Sequence, residues 1–420
     1  MIEVSRHTLS NGLRIIHSYD PSTVMVAVNV MYNVGARDES AERTGMAHLF
    51  EHLMFGGSVN VPAFDREVEV AGGMSNAWTS NDFTNFYIVL PAVNAETAFW
   101  LESDRMLSPA FTERSLDVQK GVVIEEFKQT CLNRPYGDMA HHLRRMAFDS
   151  HPYSWPTIGL KPEHIRDVTL DDVKGFFFSH YAPNNAVLAV CGNITADETV
   201  RLAEKWFGSI PSRSIAPRSY GQLGEVDSPR YAEAYGNVPQ TALTVAFRMP
   251  GYGESGYVEC DQITDILASG HASRFYRNIM MADPLFTSAD ASILGSDEPG
   301  LLMLNARLTS DKDADIARAT DRLIGEASKI WREGVTDDEL SRAHTRYESQ
   351  HTFSMLSYLG KAQLLAQTEM QHDDINTLVG QYNAVTPERL CDVASSVIVP
   401  DKAMRLVYRP KPSEAEIDDM

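Results

Sequence analysis

His48-Leu49-Phe50-Glu51-His52 puts two imidazoles and a carboxylate into one short stretch. A helix turns about 100° and rises about 1.5 Å per residue, so residues four apart project from one face about 6 Å apart. In that register His48 and His52 can grip one zinc ion. Glu51, three residues after His48, projects toward the same space and reaches a water held there. This H-x-x-E-H order is the inverse of the commoner H-E-x-x-H arrangement, and the chemistry it suits is metal-assisted hydrolysis.

A zinc centre that does chemistry takes a third protein ligand and keeps one position open. The candidate lies in Gln119-Lys120-Gly121-Val122-Val123-Ile124-Glu125-Glu126-Phe127. As a helix, this stretch has an apolar face of Leu116, Val122, Val123 and Phe127. Glu126 stands beside that face and Glu125 points to solvent. A carboxylate next to a core is costly unless it is paired or binds a cation. Glu126 therefore either completes the metal set or pairs with an arginine. His141-His142 beside Arg144-Arg145 reads as a solvated helix face, and His271, His344, His351 and His372 have no ligand spacing. Phosphate loops and nucleophile elbows are absent from the sequence.

The elements that must position these residues can be read from periodicity. The turn Asn11-Gly12 joins two short strands, and Val24 to Val34 alternates as a sheet strand until Gly35. Thr44 is the expected N-cap of the histidine helix and Gly56-Gly57 its stop. Phe86 to Leu90 and Ala186 to Val190 read as strands. Ala95 to Met106 (after a possible N-cap at Asn94), Leu116 to Thr130 and Asp197 to Phe207 read as helices. Pro211, Pro217 and Pro229 among serines and glycines mark a linker. The order strand, loop, helix then restarts: Thr241 to Met249, Pro250 to Gly256, Tyr257 to Leu267. Gly300 to Leu308 and Ala403 to Tyr408 are further strands, Asp313 to Glu333 and Asp337 to Gln371 are helix-rich, and residues 411–420 read as a tail. The matching helix of the second half, Val258-Glu259-Cys260-Asp261-Gln262-Ile263, has no histidine pair. The expected fold is α+β: a zinc-bearing domain at 1–210, a linker at 211–229, and a second domain of similar fold without a metal site at 230–420.

Composition bounds the function. The 420 residues carry 37 basic and 57 acidic side chains, a net charge of −20, which argues against nucleic acid as a partner. No apolar run is long enough to span a membrane, and the first residues lack the pattern of a signal peptide. Cys131, Cys191, Cys260 and Cys391 are scattered and form no C-x-x-C pair. Free thiols and a cytoplasmic location are expected.

Several segments together resemble the pitrilysin/insulinase superfamily of inverzincin peptidases, in particular its bacterial branch related to the mitochondrial processing peptidase. Gly45-Met46-Ala47-His48-Leu49-Phe50-Glu51-His52-Leu53-Met54-Phe55 resembles the zinc helix. Gly35-Ala36-Arg37-Asp38-Glu39 resembles the loop before it, and Gly73-Met74-Ser75-Asn76-Ala77-Trp78-Thr79-Ser80 the active-site strand. His151-Pro152-Tyr153 and Tyr181-Ala182-Pro183-Asn184-Asn185 fit as well. The resemblance implies two domains, each a mainly antiparallel sheet packed with helices. It also implies one Zn²⁺ per chain, held by His48, His52 and Glu126, the last being 74 residues after His52. Glu51 would be the catalytic carboxylate of an endopeptidase acting on unfolded peptides. Asn76, Ala77 and Trp78 would receive the substrate as an added strand, with Trp78 either lining a side-chain pocket or filling core.

Two departures from the family pattern stand out. Gln119 occupies the position, seven residues before Glu126, where the family often has a glutamate supporting the site. A neutral amide there adds no charge. Met280 and Thr287 fall where members with a complete second half carry an arginine and a tyrosine, while Arg274, Tyr276 and Arg277 lie nearby at other spacings. The resemblance therefore implies a heterodimer with a homologous metal-free subunit, with a homodimer as the alternative. A non-catalytic core or scaffold subunit of the same superfamily is the competing reading.

Overall fold

The computed structural model describes residues 2–221 and 223–412. Residues 413–420 of the expected tail and Gln222 of the expected linker lie outside the described residues. Two compact units form. The first comprises the chain up to Phe127, Trp155–Tyr220 and Gln350–Leu378; the second comprises Lys128–Ser154, Gly221–Ser349 and the chain from Val379.

Six strands build the first sheet: β1 (Ser5–Thr8), β2 (Arg14–Tyr19), β3 (Met25–Tyr32), β4 (Met74–Thr79), β5 (Thr84–Pro91) and β6 (Ala186–Gly192). Their order is β1-β2-β6-β3-β5-β4, antiparallel except for the parallel pair β2·β6. β3 is buried on both faces, as its apolar run requires. Val26, Val28, Val30 and Tyr32 join one core together with Leu49, Phe50 and Leu53 of the Met46–Leu53 helix and Phe99 and Leu101 of the Ala95–Leu107 helix. Asn29, on the other face, exchanges two 2.8 Å amide bonds with Asn85 of β5, so both buried amides are satisfied.

The second sheet has five strands: β7 (Arg230–Gly236), β8 (Thr241–Met249), β9 (Phe286–Leu294), β10 (Gly300–Leu308) and β11 (Met404–Pro410). The order is β7-β11-β8-β10-β9, with β7·β11 parallel and the rest antiparallel. Strand for strand this repeats β2-β6-β3-β5-β4. The second unit is thus a topological copy of the first.

The units do not follow the expected boundaries at 210 and 230. The Met139–Phe148 helix belongs to the second unit because Leu143, Ala147 and Phe148 pack with Ala246, Leu301, Met404 and Leu406 of its sheet. The Tyr358–Met370 helix, expected in the second domain, packs on β2, β3 and β6 of the first. Arg14 of β2 donates to Glu369 O at 2.7 Å, which fixes that helix on the Asn29 face. Two elements add detail to the expected order. The long helical stretch after Asp337 divides at Ser357, whose hydroxyl caps a new helix by accepting from Gly360 N–H. β9 lies in a stretch where the sequence had suggested no strand.

His17 of β2 is buried, and its Nε2–H donates to Ile194 O at 2.8 Å while Nδ1 lies 3.3 Å from Ser5 Oγ. Burial lowers its pKa, against smaller raising effects from the Ile194 carbonyl and Glu3. The folded state therefore prefers neutral imidazole, and the unfolded chain takes up a proton first as the pH falls. Stability from this group is present above the ordinary histidine pKa of about 6.5 and is lost below it. Urea unfolding between pH 7.5 and 5 is expected to show falling stability, with a shallower fall in His17→Gln. Identical pH slopes for the two proteins would remove His17 from this role.

Candidate active site

The Met46–Leu53 helix is eight residues long, and its direction is set from outside. Met46, Leu49, Phe50 and Leu53 form its buried face, with Phe50 stacked 4.2 Å from the Tyr181 ring and edge-on to Phe111 at 5.2 Å. That packing turns His48, Glu51 and His52 to the other side. The N-cap is Gly45, not the expected Thr44. Gly45 has φ +89°, and a Cβ there would sit 2.9 Å from Ile158 O, so only glycine fits. Thr44 is engaged elsewhere: its hydroxyl accepts from Leu160 N–H at 2.8 Å and meets His164 Nδ1. The cap is supplied by Glu39, whose two carboxylate oxygens accept from Gly45 N–H and Ala47 N–H, each at 2.8 Å. A carboxylate on the first N–H groups of a helix also opposes the helix dipole favourably. Burial nevertheless pushes the Glu39 pKa well above the usual range, against the lowering effect of those N–H groups.

The structure brings His48, His52 and Glu126 together. His48 Nε2 and His52 Nε2 are 3.2 Å apart, and Glu126 Oε2 lies 3.4 Å from His52 Nε2 and 3.7 Å from His48 Nε2. Zinc bonds of about 2.0–2.1 Å in a tetrahedron separate neighbouring donors by about 3.3 Å. Two imidazole nitrogens and one carboxylate oxygen at these separations thus fit zinc in kind, number and spacing. Burial lowers the His48 pKa and favours the neutral ring that a metal needs. Among the described residues, the buried Nδ1 of His48 has no hydrogen-bond partner. Its Nε2 edge, facing His52 and Glu126, carries the ring's polar contacts.

Glu126 sits on the Glu113–Phe127 helix, with Leu116, Val123 and Phe127 buried and Glu125 exposed as expected. Val122 departs from the expected apolar face: it is 45% exposed. The Glu126 side chain is itself 38% exposed, so its position is not enforced by a core. Gln119 lies two turns earlier on this helix and is half-buried.

Glu51 is half-buried, and Thr79 Oγ1 of β4 donates to its Oε2 at 2.5 Å. Burial raises the Glu51 pKa, the Thr79 bond opposes this, and Glu126 nearby adds a smaller raising effect. β4 pairs only with β5 among the described residues, which leaves its other edge open. Ala77 N–H is bonded by the neighbouring Asn76 Oδ1 at 2.8 Å rather than by β5, so it points to that open edge. Strand alternation puts Ser75, Ala77 and Thr79 on the face of the histidine helix, where Ala77 touches the first core. The side chains of Asn76 and Trp78 therefore leave the opposite face, away from Glu51, and Trp78 stands across from Asn85. Trp78 is half-buried there.

In the second unit the Tyr257–Ala268 helix matches the histidine helix, and its N-cap Gly256 is likewise left-handed at φ +106°. Counting from the two glycines, Glu259, Gln262 and Ile263 replace His48, Glu51 and His52. Glu259 pairs with Arg389 at 2.7 Å, Gln262 donates to Tyr382 O, and Ile263 is buried. Met280 packs on the second core, and exposed Thr287 bonds Gln240 Oε1 at 2.9 Å. Arg274 is spent on a buried bidentate pair with Glu339, while Tyr276 stacks on His271 and Arg277 is exposed. His142, on the helix expected to be solvated, is 3.1 Å from Asp138.

Sequence reasoning missed Glu39 and Thr79 as site residues. Glu39→Ala leaves two buried helix N–H donors without partners, which is expected to cost about 2–4 kcal/mol. Urea denaturation is the check, with Glu39→Gln losing less because one acceptor oxygen remains. An unchanged midpoint in Glu39→Ala would show that the helix holds without this cap.

The sequence matches the profile described as Insulinase (Peptidase family M16) over residues 14–159 and the profile Peptidase M16 inactive domain over residues 167–347. Zinc protease PqqE of Helicobacter pylori is 26% identical over 372 residues, 87% of this chain and 83% of that protein. The crystal structure of a protease from Helicobacter pylori superposes with a TM-score of 0.90 at 24% identity, covering 98% of this chain and 100% of that one. The periplasmic protease PqqL from Escherichia coli superposes at 0.80 with 17% identity, over all of this chain but 49% of its own. With one family's profiles matched along both halves and a relative named a zinc protease aligned over most of its length, the chain belongs to the M16 family of peptidases.

Proposed function

We propose that this chain is the metal-bearing part of a zinc-dependent endopeptidase that hydrolyses unfolded peptides. The observation that carries the reading is the donor triangle of His48, His52 and Glu126, with Glu51 on the same short helix. These three side chains would hold one Zn²⁺ per chain. When bound, the ion polarises a peptide carbonyl and lowers the pKa of water toward neutrality. The Glu51 carboxylate takes a proton from the attacking water and delivers it to the nitrogen of the leaving amine. Its raised pKa suits a group that must both accept and release that proton. The open edge of β4 offers the main-chain groups of Ser75, Ala77 and Thr79 to an extended peptide. Pairing of this kind makes little demand on sequence but requires the substrate to be unfolded. In this reading Asn76 and Trp78 contribute through the strand they build, and Gln119 supports Glu126 without adding charge.

The second unit offers neither arginine nor tyrosine where the family uses them, since Met280 and Thr287 stand there. A homologous metal-free subunit would supply that pair, making the working enzyme a heterodimer; a homodimer is the alternative. In this reading the enzyme is cytoplasmic. Among the described residues no helix is long and apolar enough to cross a membrane. A scaffold without activity is the rival reading, and the intact set of His48, Glu51, His52 and Glu126 speaks for the enzyme.

The test combines metal analysis with cleavage of a mixed peptide library by the zinc-loaded protein. One zinc per chain is expected, with near-complete loss in His48→Ala or His52→Ala and weaker binding in Glu126→Gln. Glu51→Gln should keep the zinc and lose hydrolysis. Zinc retained by His52→Ala, or full cleavage by Glu51→Gln, would overturn the assignment. Zinc without cleavage by the parent chain directs the search to a partner carrying the arginine and tyrosine.

A further inference from the structure

We infer that Thr79 is a positioning residue for Glu51: its hydroxyl holds one carboxylate oxygen and thereby fixes which way the other faces. This deepens the proposed function and rests on Glu51 as the proton carrier. Thr79 Oγ1 donates to Glu51 Oε2, and among the described residues no other side chain bonds that carboxylate. A glutamate has three rotatable side-chain bonds, so an untethered carboxylate spreads over several rotamers. With Oε2 held as an acceptor, Oε1 is left to take the proton.

The tether is itself rigid at both ends. Thr79 is the last residue of β4, and the turn after it is closed by Ser80 N–H to Phe83 O at 2.8 Å. Ser80 Oγ also accepts from Asp82 N–H and Phe83 N–H. The loop before the histidine helix grips this turn: Ala36 N–H donates to Ser80 O at 3.1 Å, and Arg37 N–H donates to Asn81 O at 2.9 Å. Arg37 and Asp82 form a buried ion pair at 2.9 Å. The same loop carries Glu39, which caps the helix that bears Glu51. One loop therefore sets the height of both donor and acceptor. Thr79 also shares its strand with Ala77, whose N–H faces the open edge. A peptide added at that edge lies on the strand that orients the proton carrier.

A hydroxyl that merely satisfied itself on a convenient carboxylate would leave Glu51 unmoved when removed. Thr79→Val removes the hydroxyl at nearly constant volume, and Thr79→Ser restores it. Crystal structures of the zinc-loaded variants are expected to show the Glu51 carboxylate displaced in Thr79→Val and returned in Thr79→Ser. In peptide cleavage, kcat should fall about 10–100-fold in Thr79→Val, the range seen when groups supporting a metal site are removed. KM, zinc content and thermal midpoint should stay near the parent values, and Thr79→Ser should recover most of kcat. Glu51 unmoved in the valine variant overturns the inference, as does an unchanged kcat. Glu51→Gln is run in parallel: if it cleaves as well as the parent, the proposed function fails, and the crystal structures still decide the role of Thr79. If the parent chain does not cleave alone, the crystal structures decide again.

Discussion

An eight-residue helix cannot by its own stability hold two imidazoles and a carboxylate in register with Glu126 from another helix. Isolated helices of that length are marginal in water, because nucleation costs more than so few bonds return. The site therefore depends on how the Met46–Leu53 helix is fastened. Three attachments do it: the Glu39 carboxylate on its first N–H groups, a left-handed glycine pressed against Ile158 O, and Phe50 stacked on Tyr181. Each constrains a different freedom. The cap fixes the axial position, the glycine fixes the entry of the chain, and the ring fixes rotation about the axis. Rotation is the most sensitive, since turning the helix by one residue would swing His48 and His52 about 100° away from Glu126.

The second unit shows the same frame without that chemistry. Its sheet order repeats that of the first, and its matching helix also starts from a left-handed glycine. At the three positions of His48, Glu51 and His52, however, a glutamate, a glutamine and an isoleucine stand. Glu259 is satisfied by Arg389, and Ile263 goes into the core. The fold therefore demands only an apolar face and a glycine start from this helix. The histidine pair is an addition to one copy.

The histidine pair could be read from sequence because i, i+4 spacing is a local property of the helix, independent of the rest of the fold. Glu126 was partly legible, through the periodicity of Leu116, Val123 and Phe127. The same periodicity misassigned Val122, because the breadth of a buried face is set by what packs on it. Glu39, Thr79 and the Trp78 orientation were not legible. Each depends on which segment folds beside which, and nothing local in Thr79 marks it as the partner of a glutamate 28 residues earlier. Thr44 failed as a cap for a related reason: the Glu39 carboxylate reaches the helix N–H groups from six residues before Gly45. The domain boundaries failed where the chain crosses between units, since the Met139–Phe148 and Tyr358–Met370 helices each pack on a sheet from the other half of the sequence.

The electrostatics of the site have a direction. Burial drives the Glu51 pKa up and the His48 pKa down, so in the protein alone both groups are pushed toward their neutral forms. Glu126 adds to the first effect, because two carboxylates facing one space repel. Such an arrangement is unfavourable for folding at Glu51, whose carboxylate loses hydration on burial. A divalent cation would reverse the first effect, favouring the ionised carboxylate, and act with the second, favouring neutral imidazoles with free lone pairs. The Thr79 bond acts in the same sense on Glu51, stabilising the ionised form at one oxygen. Under the proposed function, the convergent donors of His48, His52 and Glu126 and the raised Glu51 carboxyl are both features that a small doubly charged cation would suit.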